Sequence, residues 1–348
     1  MKILNGSKIM LMAVVLLASS CSSLLYTSVD VLKPARVTFD PKDTRLLIVN
    51  NSIPQPADYG HRVQYFNEKA QLESVNTDSL SLFAIESLAE KLAEKEFFST
   101  ITIHDQRLNN SNYFFTITHL PFDTVNALCD RFDSDVILSL DRIKVTDKID
   151  EYFLNDEYVY YSTLEARYES RWSVYVPEKS TYQAITLHDT IFWEVRSPQR
   201  RQGVKSLPDR YNALIDGALY AGSNAVNKFI PYWTKADRYF FTGGNKKLTQ
   251  GMDSVTVRNW KGAIDIWNSI LESKATSSTK AKVSHNIAVV YEILGDIDKA
   301  VEQTDKTLEF LEKSAIANSN TTFTIVAYFD ELQKRKEEAE LLDKQLGD

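Results

Sequence analysis

From Tyr158 to Val176 the chain reads YVYYSTLEARYESRWSVYV, a stretch that leaves the backbone little choice. Leu164, Ala166, Tyr168, Trp172, Val174 and Val176 fall on one parity, and Glu165, Arg167, Glu169 and Arg171 on the other. Successive side chains of a strand point to opposite faces, so this alternation predicts a strand with one buried and one wet face. PEKS (Pro177 to Ser180) makes a turn and TYQAITLHDTIFWEV returns, giving a β-hairpin over residues 158–195. Opposite charges on the wet face pair along or across the strands for roughly a few tenths of a kcal/mol each.

The elements before the hairpin alternate in type. RLLIVNNS (Arg45 to Ser52) is a short strand-forming run. SLSLFAIESLAEKLAEKEFF follows, with Leu82, Ile85, Leu88, Ala89, Leu92 and Ala93 at helical spacing. STITI (Ser99 to Ile103) reads as a second strand, Thr124 to Phe132 as a short helix, and DVILSLDRIKV, from Asp135, as a third strand. The order β-α-β-α-β implies a sheet with helices packed on it. After the hairpin, Pro208 and Pro231 bracket a helix over Asp209 to Phe229. Gly217 and Gly222 weaken that helix, which implies close approach to a neighbour.

The strand RLLIVNNS, the helix–strand junction LAEKLAEKEFFSTITI and the segment LCDRFDSDVILSL resemble the α/β domain of curli-secretion-type lipoproteins and the TolB amino-terminal domain. Asp133-Ser134 stands where those families carry Gly-Ala. The resemblance covers residues 45–241. In the curli-secretion family, hairpins of several subunits join into a membrane barrel. The resemblance therefore implies a possible homo-oligomer, a secretion or pore component, with the 158–195 hairpin facing lipid on one side and lumen on the other. A soluble hairpin covered by the 209–229 helix needs the same pattern.

Residues 281–310, AKVSHNIAVVYEILGDIDKAVEQTDKTLEF, are similar to a tetratricopeptide (TPR) repeat in Ile287-Ala288, Tyr291, Gly295-Asp296, Ala300 and Thr307-Leu308. Ala288 and Ala300 allow two helices to cross closely. Gly295 ends the first through a positive φ, and Asp296 caps the second. Asn259 to Ser273 matches the second helix of a preceding repeat, and the segment after Ser314 reads as a charged capping helix or helix pair. A helical domain over residues 245–348 follows, and the fold class is α+β. The TPR resemblance implies a partner-binding groove lined by Lys282, His285, Asn286, Val289 and Glu292, with Asn286 where peptide-holding relatives grip a ligand backbone. With so few repeats, the first domain is an equal candidate to fill that groove.

At the amino terminus, Lys2 and Lys8 precede the apolar run Ile9 to Ala18. About ten residues are too short to cross a hydrocarbon core as a helix. The run ends in LASSC and resembles a bacterial lipoprotein signal, residues 1–20, with Cys21 as the lipidated residue and Ala18 where Leu is usual. A plain cleaved signal and an uncleaved anchor are the alternatives. Residues 21–44, with Pro34 and Pro41, read as a tether. No acidic cluster follows Cys21, which favours the periplasmic face of the outer membrane, and the chain resembles the TPR-tailed envelope lipoproteins of Bacteroides-type bacteria. Cys129 would then be the one remaining thiol, read as a buried apolar residue.

Chemistry is sparse. The net charge of −7 becomes −9 once Lys2 and Lys8 leave, which argues against nucleic acid as a partner. No metal-ligand, nucleophile-elbow or phosphate-loop motif occurs, and no metal or cofactor is expected. The five histidines (61, 104, 119, 188 and 285) are scattered. Asp130, Asp133, Asp135 and Asp141 read as solvated positions at a helix end and the start of a strand. Arg196, Arg200, Arg201, Lys205 and Arg210 read as a solvated loop in preference to a phosphate-binding one. The expectation is a non-enzymatic, lipid-anchored protein whose helical tail mediates protein–protein assembly.

Overall fold

The computed structural model describes residues 24–104, 106–111, 113–314 and 320–347. It is an α+β protein of two compact units: residues 35–231 with 344–347, and residues 24–34 with 232–343. Cys21 and the signal segment lie outside the described residues. The first strand, β1 (Leu24–Lys33), belongs to the helical unit and is described with it below.

The sheet unit contains β2 (Arg45–Asn50), β3 (His61–Gln64), β4 (Gln71–Leu72), β5 (Thr100–His104), β6 (Val136–Leu154), β7 (Val159–Val176) and β8 (Thr181–Ser197). β2 runs parallel to β5 on one side and to the first half of β6 on the other, with Leu46 opposite Ile101 and Val136. The second half of β6 pairs in parallel with β3, and β4 closes that edge antiparallel to β3. β6, β7 and β8 form an antiparallel meander, with a register shift between Leu140 and Arg142.

Among the described residues four α-helices cover this sheet: α1 (Leu80–Glu94), α2 (Phe122–Phe132), the short α3 (Gln202–Ser206) and α4 (Arg210–Phe229). The apolar face of the hairpin is buried: Leu164, Ala166, Tyr168, Trp172 and Val174 lie in the core. Trp172 meets Phe229 of α4 with ring centroids 5.9 Å apart. Gly217 and Gly222 allow the close approach. A Cβ on Gly217 would fall 2.1 Å from the Tyr168 hydroxyl, and one on Gly222 would fall 2.1 Å from the Ala84 carbonyl of α1. In α1 the buried stripe is Leu80, Ala84, Ile85, Leu88, Ala89 and Leu92, so Leu82 and Ala93, expected inside, give way to Leu80 and Ala84. On a second core, Val125, Leu128 and Cys129 of α2 pack with Leu47, Val49, Ile137 and Tyr175.

The helical unit corrects two readings. Residues 24–44 are not a tether: β1 pairs antiparallel over its whole length with β9 (Tyr232–Phe241), Leu24 opposite Phe241 and Lys33 opposite Tyr232. Thr27, Val29 and Val31 turn inward at every second position, the period that a strand requires. Val37 and Phe39 are core residues of the sheet unit. The domain boundary expected near 241–245 moves as well, because β9 belongs with the helices. Among the described residues five helices follow: α5 (Lys246–Thr256), α6 (Trp260–Leu271), α7 (Ser277–Ile293), α8 (Ile297–Glu312) and a long α9 (Asn320–Leu346). α5 and α6 form a complete first pair, where only the second helix had matched a repeat. The Trp267 indole donates to the Leu248 carbonyl at 3.2 Å and lies against Gly251.

Candidate functional site

The α7–α8 pair is built as its sequence dictates. Gly295 takes a φ of +81°, in the left-handed region that ends a helix without strain for glycine, and the Asp296 carboxylate accepts from the Lys299 amide at 3.2 Å. Ala288 and Ala300 are fully buried at the crossing. Thr307, where the repeat pattern prefers alanine, is also fully buried, and its hydroxyl donates to the Gln303 carbonyl at 2.9 Å. A side-chain bond to the preceding turn satisfies such a hydroxyl inside a helix.

This pair presents α7 to the edge of β9. The Asn286 side chain takes both backbone groups of one strand residue: its Oδ1 accepts from the Phe241 amide and its Nδ2 donates to the Phe241 carbonyl, each at 2.8 Å. Two residues earlier on the same edge, the Tyr239 carbonyl accepts from His285 Nε2 at 3.1 Å. A free strand edge carries unpaired N–H and C=O groups. Here helix side chains satisfy that edge in place of another strand.

The His285 ring is stacked on Tyr239 and meets Phe241 and Tyr328 edge-on. Burial, with the nearby Arg238 charge, lowers its pKa to about 4 against the one backbone bond to Tyr239, so it is neutral at pH 7. Its Nδ1 has no partner among the described residues.

About two turns on from His285, Glu292 receives Arg238 of β9 in a two-pronged pair, Nε and Nη2 each at 2.7 Å, with the side chains 2% and 3% exposed. Glu331 of α9 adds a second carboxylate at 2.9 Å, and the Tyr328 hydroxyl donates to Glu292 at 3.0 Å. Burial opposes the Arg238 charge, but Glu292 outweighs it and raises the pKa. The Tyr328 phenol is held well above its usual range by burial and by the Glu292 charge. A buried pair of this kind adds little stability over apolar residues of the same size. Stranding one partner costs about 3–5 kcal/mol. Its effect is therefore to fix the register of β9 on α7.

The five expected groove residues are thus brought together, but not as an open groove. His285, Asn286, Val289 and Glu292 are buried, and Lys282 is half-buried with its ammonium 5.6 Å from the Phe241 ring centroid. The occupant is the β1–β9 ribbon. Sequence reasoning missed Arg238, Tyr239 and Phe241; the alternating YWTKADRYFF was the signal available.

The sheet unit holds two buried polar clusters that the sequence did not announce. His61 and Asp147 pair with no exposed side-chain surface, and Arg210 binds the other Asp147 oxygen at 2.6 Å. Asp141 is not solvated as expected. It is buried at the register shift, where Asn51 (3.2 Å), Ser139 (2.8 Å) and Ser173 (2.5 Å) donate to it. Asp133 and Asp135 pair with Arg45, which holds the Asp135 carboxyl below its usual range. The arginines of the basic loop meet carboxylates from elsewhere in the sheet unit: Arg196 meets Glu157, Arg200 and Arg201 share Glu68, and Arg210 adds Glu73. Each carboxylate of the two clusters has an opposite charge or a hydrogen-bond donor beside it.

No curated protein matches this chain. Solved structures that resemble it do so distantly. One is a PelC dodecamer from Paraburkholderia phytofirmans, 10% identical, covering 59% of this chain and 99% of that one at a TM-score of 0.26. Another is a putative neuraminyllactose-binding hemagglutinin homolog from Helicobacter pylori, 11% identical, covering 55% and 88% at 0.28. A third is an uncharacterized protein, 13% identical, covering 53% and 90% at 0.24. Family models match twice: a domain of unknown function (DUF6340) over residues 249–334, within the helical unit, and a second model over more than half of the chain. By that longer match, residues 44–241, the chain belongs to the family described as a domain of unknown function (DUF8603).

Proposed function

We propose that this is a non-enzymatic, lipid-anchored protein of the cell envelope, on the periplasmic face of the outer membrane. In this reading its TPR-like helical unit fastens the chain that follows the anchor, and the folded body is held out for assembly with other proteins. The observation that carries it is the β1–β9 ribbon. β1 begins three residues after Cys21 and is paired along its length with the strand that Asn286, His285 and Glu292 hold. The LASSC signal supplies the anchor and the ribbon transmits its hold to the helices. A partner would meet surfaces other than the α7 face, which the ribbon occupies. The alternative, a pore built from the 158–195 hairpin, requires lipid contact on a face that α4 already covers.

The test is envelope fractionation with an alkyne-labelled palmitate, on wild type and Cys21→Ala. Label and membrane association should both be lost in the variant. An unlabelled wild type, or a variant that stays in the membrane fraction, overturns the anchor.

A further inference from the structure

The beginning of β1 carries large apolar side chains that the fold leaves bare, Leu25 on the parity of Thr27 and Tyr26 on the opposite face. Tyr26 is 67% exposed and Leu25 41%, and at the start of α9 Phe323 is 73% exposed and Val326 41%. Phe323 and Val326 are three residues apart and share a helix face. Tyr239 joins the two groups. Its ring lies 6.3 Å from that of Tyr26, and its hydroxyl donates to the Thr324 carbonyl, between Phe323 and Val326 in the chain. Beside them, Lys282 lies over Phe241, the residue paired with Leu24. Exposed apolar side chains gathered in one place mark an interaction surface.

What covers this surface follows from chain length. Only Ser22 and Ser23 separate Cys21 from Leu24. Leu25 is four and Tyr26 five residues from Cys21, at most about 14 and 18 Å of extended chain, so an acyl chain on Cys21 brings both to the bilayer surface. Tyrosine favours that depth, where its ring sits among the headgroups with its hydroxyl wet, and a lysine beside it suits an anionic headgroup. We propose that Tyr26, Phe323 and Val326 on one side of the ribbon and Leu25 on the other form a membrane-contact tip of the helical unit, seated in the headgroup region beside the acylated Cys21. This rests on the lipid-anchored reading and adds orientation to it: α9 begins at the membrane and runs away from it.

The experiment uses the full acylated protein in vesicles of phosphatidylethanolamine and phosphatidylglycerol doped with nitroxide-labelled lipid. Cys129 is buried, so a bimane label goes to a cysteine introduced by Phe323→Cys or, as control, Leu294→Cys. Leu294 is exposed beside Lys336 to Asp343. That stretch of α9 lies about 20 Å or more along the helix from Phe323. Nitroxide lipid should quench the label at 323 and leave the label at 294 at its level in nitroxide-free vesicles. Adding Leu25→Ser and Tyr26→Ser should reduce quenching at 323 while the protein still floats with the vesicles.

Protein that floats but shows equal, weak quenching at both positions overturns the contact tip and leaves the anchor standing. Protein that fails to float overturns both. Disulfide-linked dimers through position 323 without quenching would make this a contact between copies, and also overturn the proposal.

Discussion

Asn286 is the residue on which the fastening of the ribbon turns. Replacing it with leucine keeps the branched shape of the side chain, at a larger volume, and removes both polar atoms, so two hydrogen bonds of 2.8 Å to Phe241 are lost together. The Asn286 side chain is fully buried and Phe241 nearly so, so water cannot replace what is removed. Each buried backbone group left unpaired costs about 1–3 kcal/mol, which puts the sum for the two groups at roughly 2–6 kcal/mol, centred on about 4. For a unit of this size that corresponds to a fall in melting temperature on the order of 10 °C. The measurement is urea and thermal unfolding of Asn286→Leu beside wild type, with amide exchange followed at Tyr239 and Phe241. The exchange should accelerate at the ribbon before α7 and α8 lose protection, because the variant loosens the strand and leaves the Ala288–Ala300 crossing intact. A loss below about 1 kcal/mol with the Phe241 amide still protected would refute the argument, because that amide would then have another partner.

Acid should act on the same contact through His285. Its pKa falls from 6.5 unfolded to about 4 folded, so the unfolded chain binds the extra proton. The contribution of the neutral ring is fully present above pH 6.5, declines between 6.5 and 4 and is gone below, about 3 kcal/mol in all. Comparing unfolding free energies at either end of that window should show a shallower slope for His285→Gln than for wild type; equal slopes would remove His285 from the account. In the sheet unit, Gly222→Ala would stabilise an isolated helix by about 1 kcal/mol. Here the new methyl would sit 2.1 Å from the Ala84 carbonyl, and the net effect should be a loss of roughly 1–3 kcal/mol, read by thermal unfolding.

How much of this was legible follows from the range of each signal. The 158–195 hairpin was readable because strand alternation is local: Leu164, Ala166, Tyr168, Trp172 and Val174 are each buried as the parity demanded. The α7–α8 turn was readable for a similar reason, since Gly295, Asp296, Ala288 and Ala300 answer to constraints within one helix pair. β1 was missed although Thr27, Val29 and Val31 alternate. Ten residues beside a proline look like a linker until their partner is known, and that partner lies some two hundred residues away. Asp141 was taken as solvated because nothing near it in the chain shows that Asn51 and Ser173 arrive from other strands to donate to it.

The sequence by itself determined the α+β class, the hairpin, the helix pair and the set of residues on the outer face of α7, because each depends on spacings of two to four residues. Tertiary structure alone decided what that face holds. Lys282, His285, Asn286 and Glu292 have side chains equally able to grip a foreign peptide or a strand of their own chain, and the choice rests on whether such a strand is within reach. The pairing of Leu24–Lys33 with Tyr232–Phe241 supplies one, and Asn286 and His285 of α7 are placed to give its free edge hydrogen-bond partners at Phe241 and Tyr239.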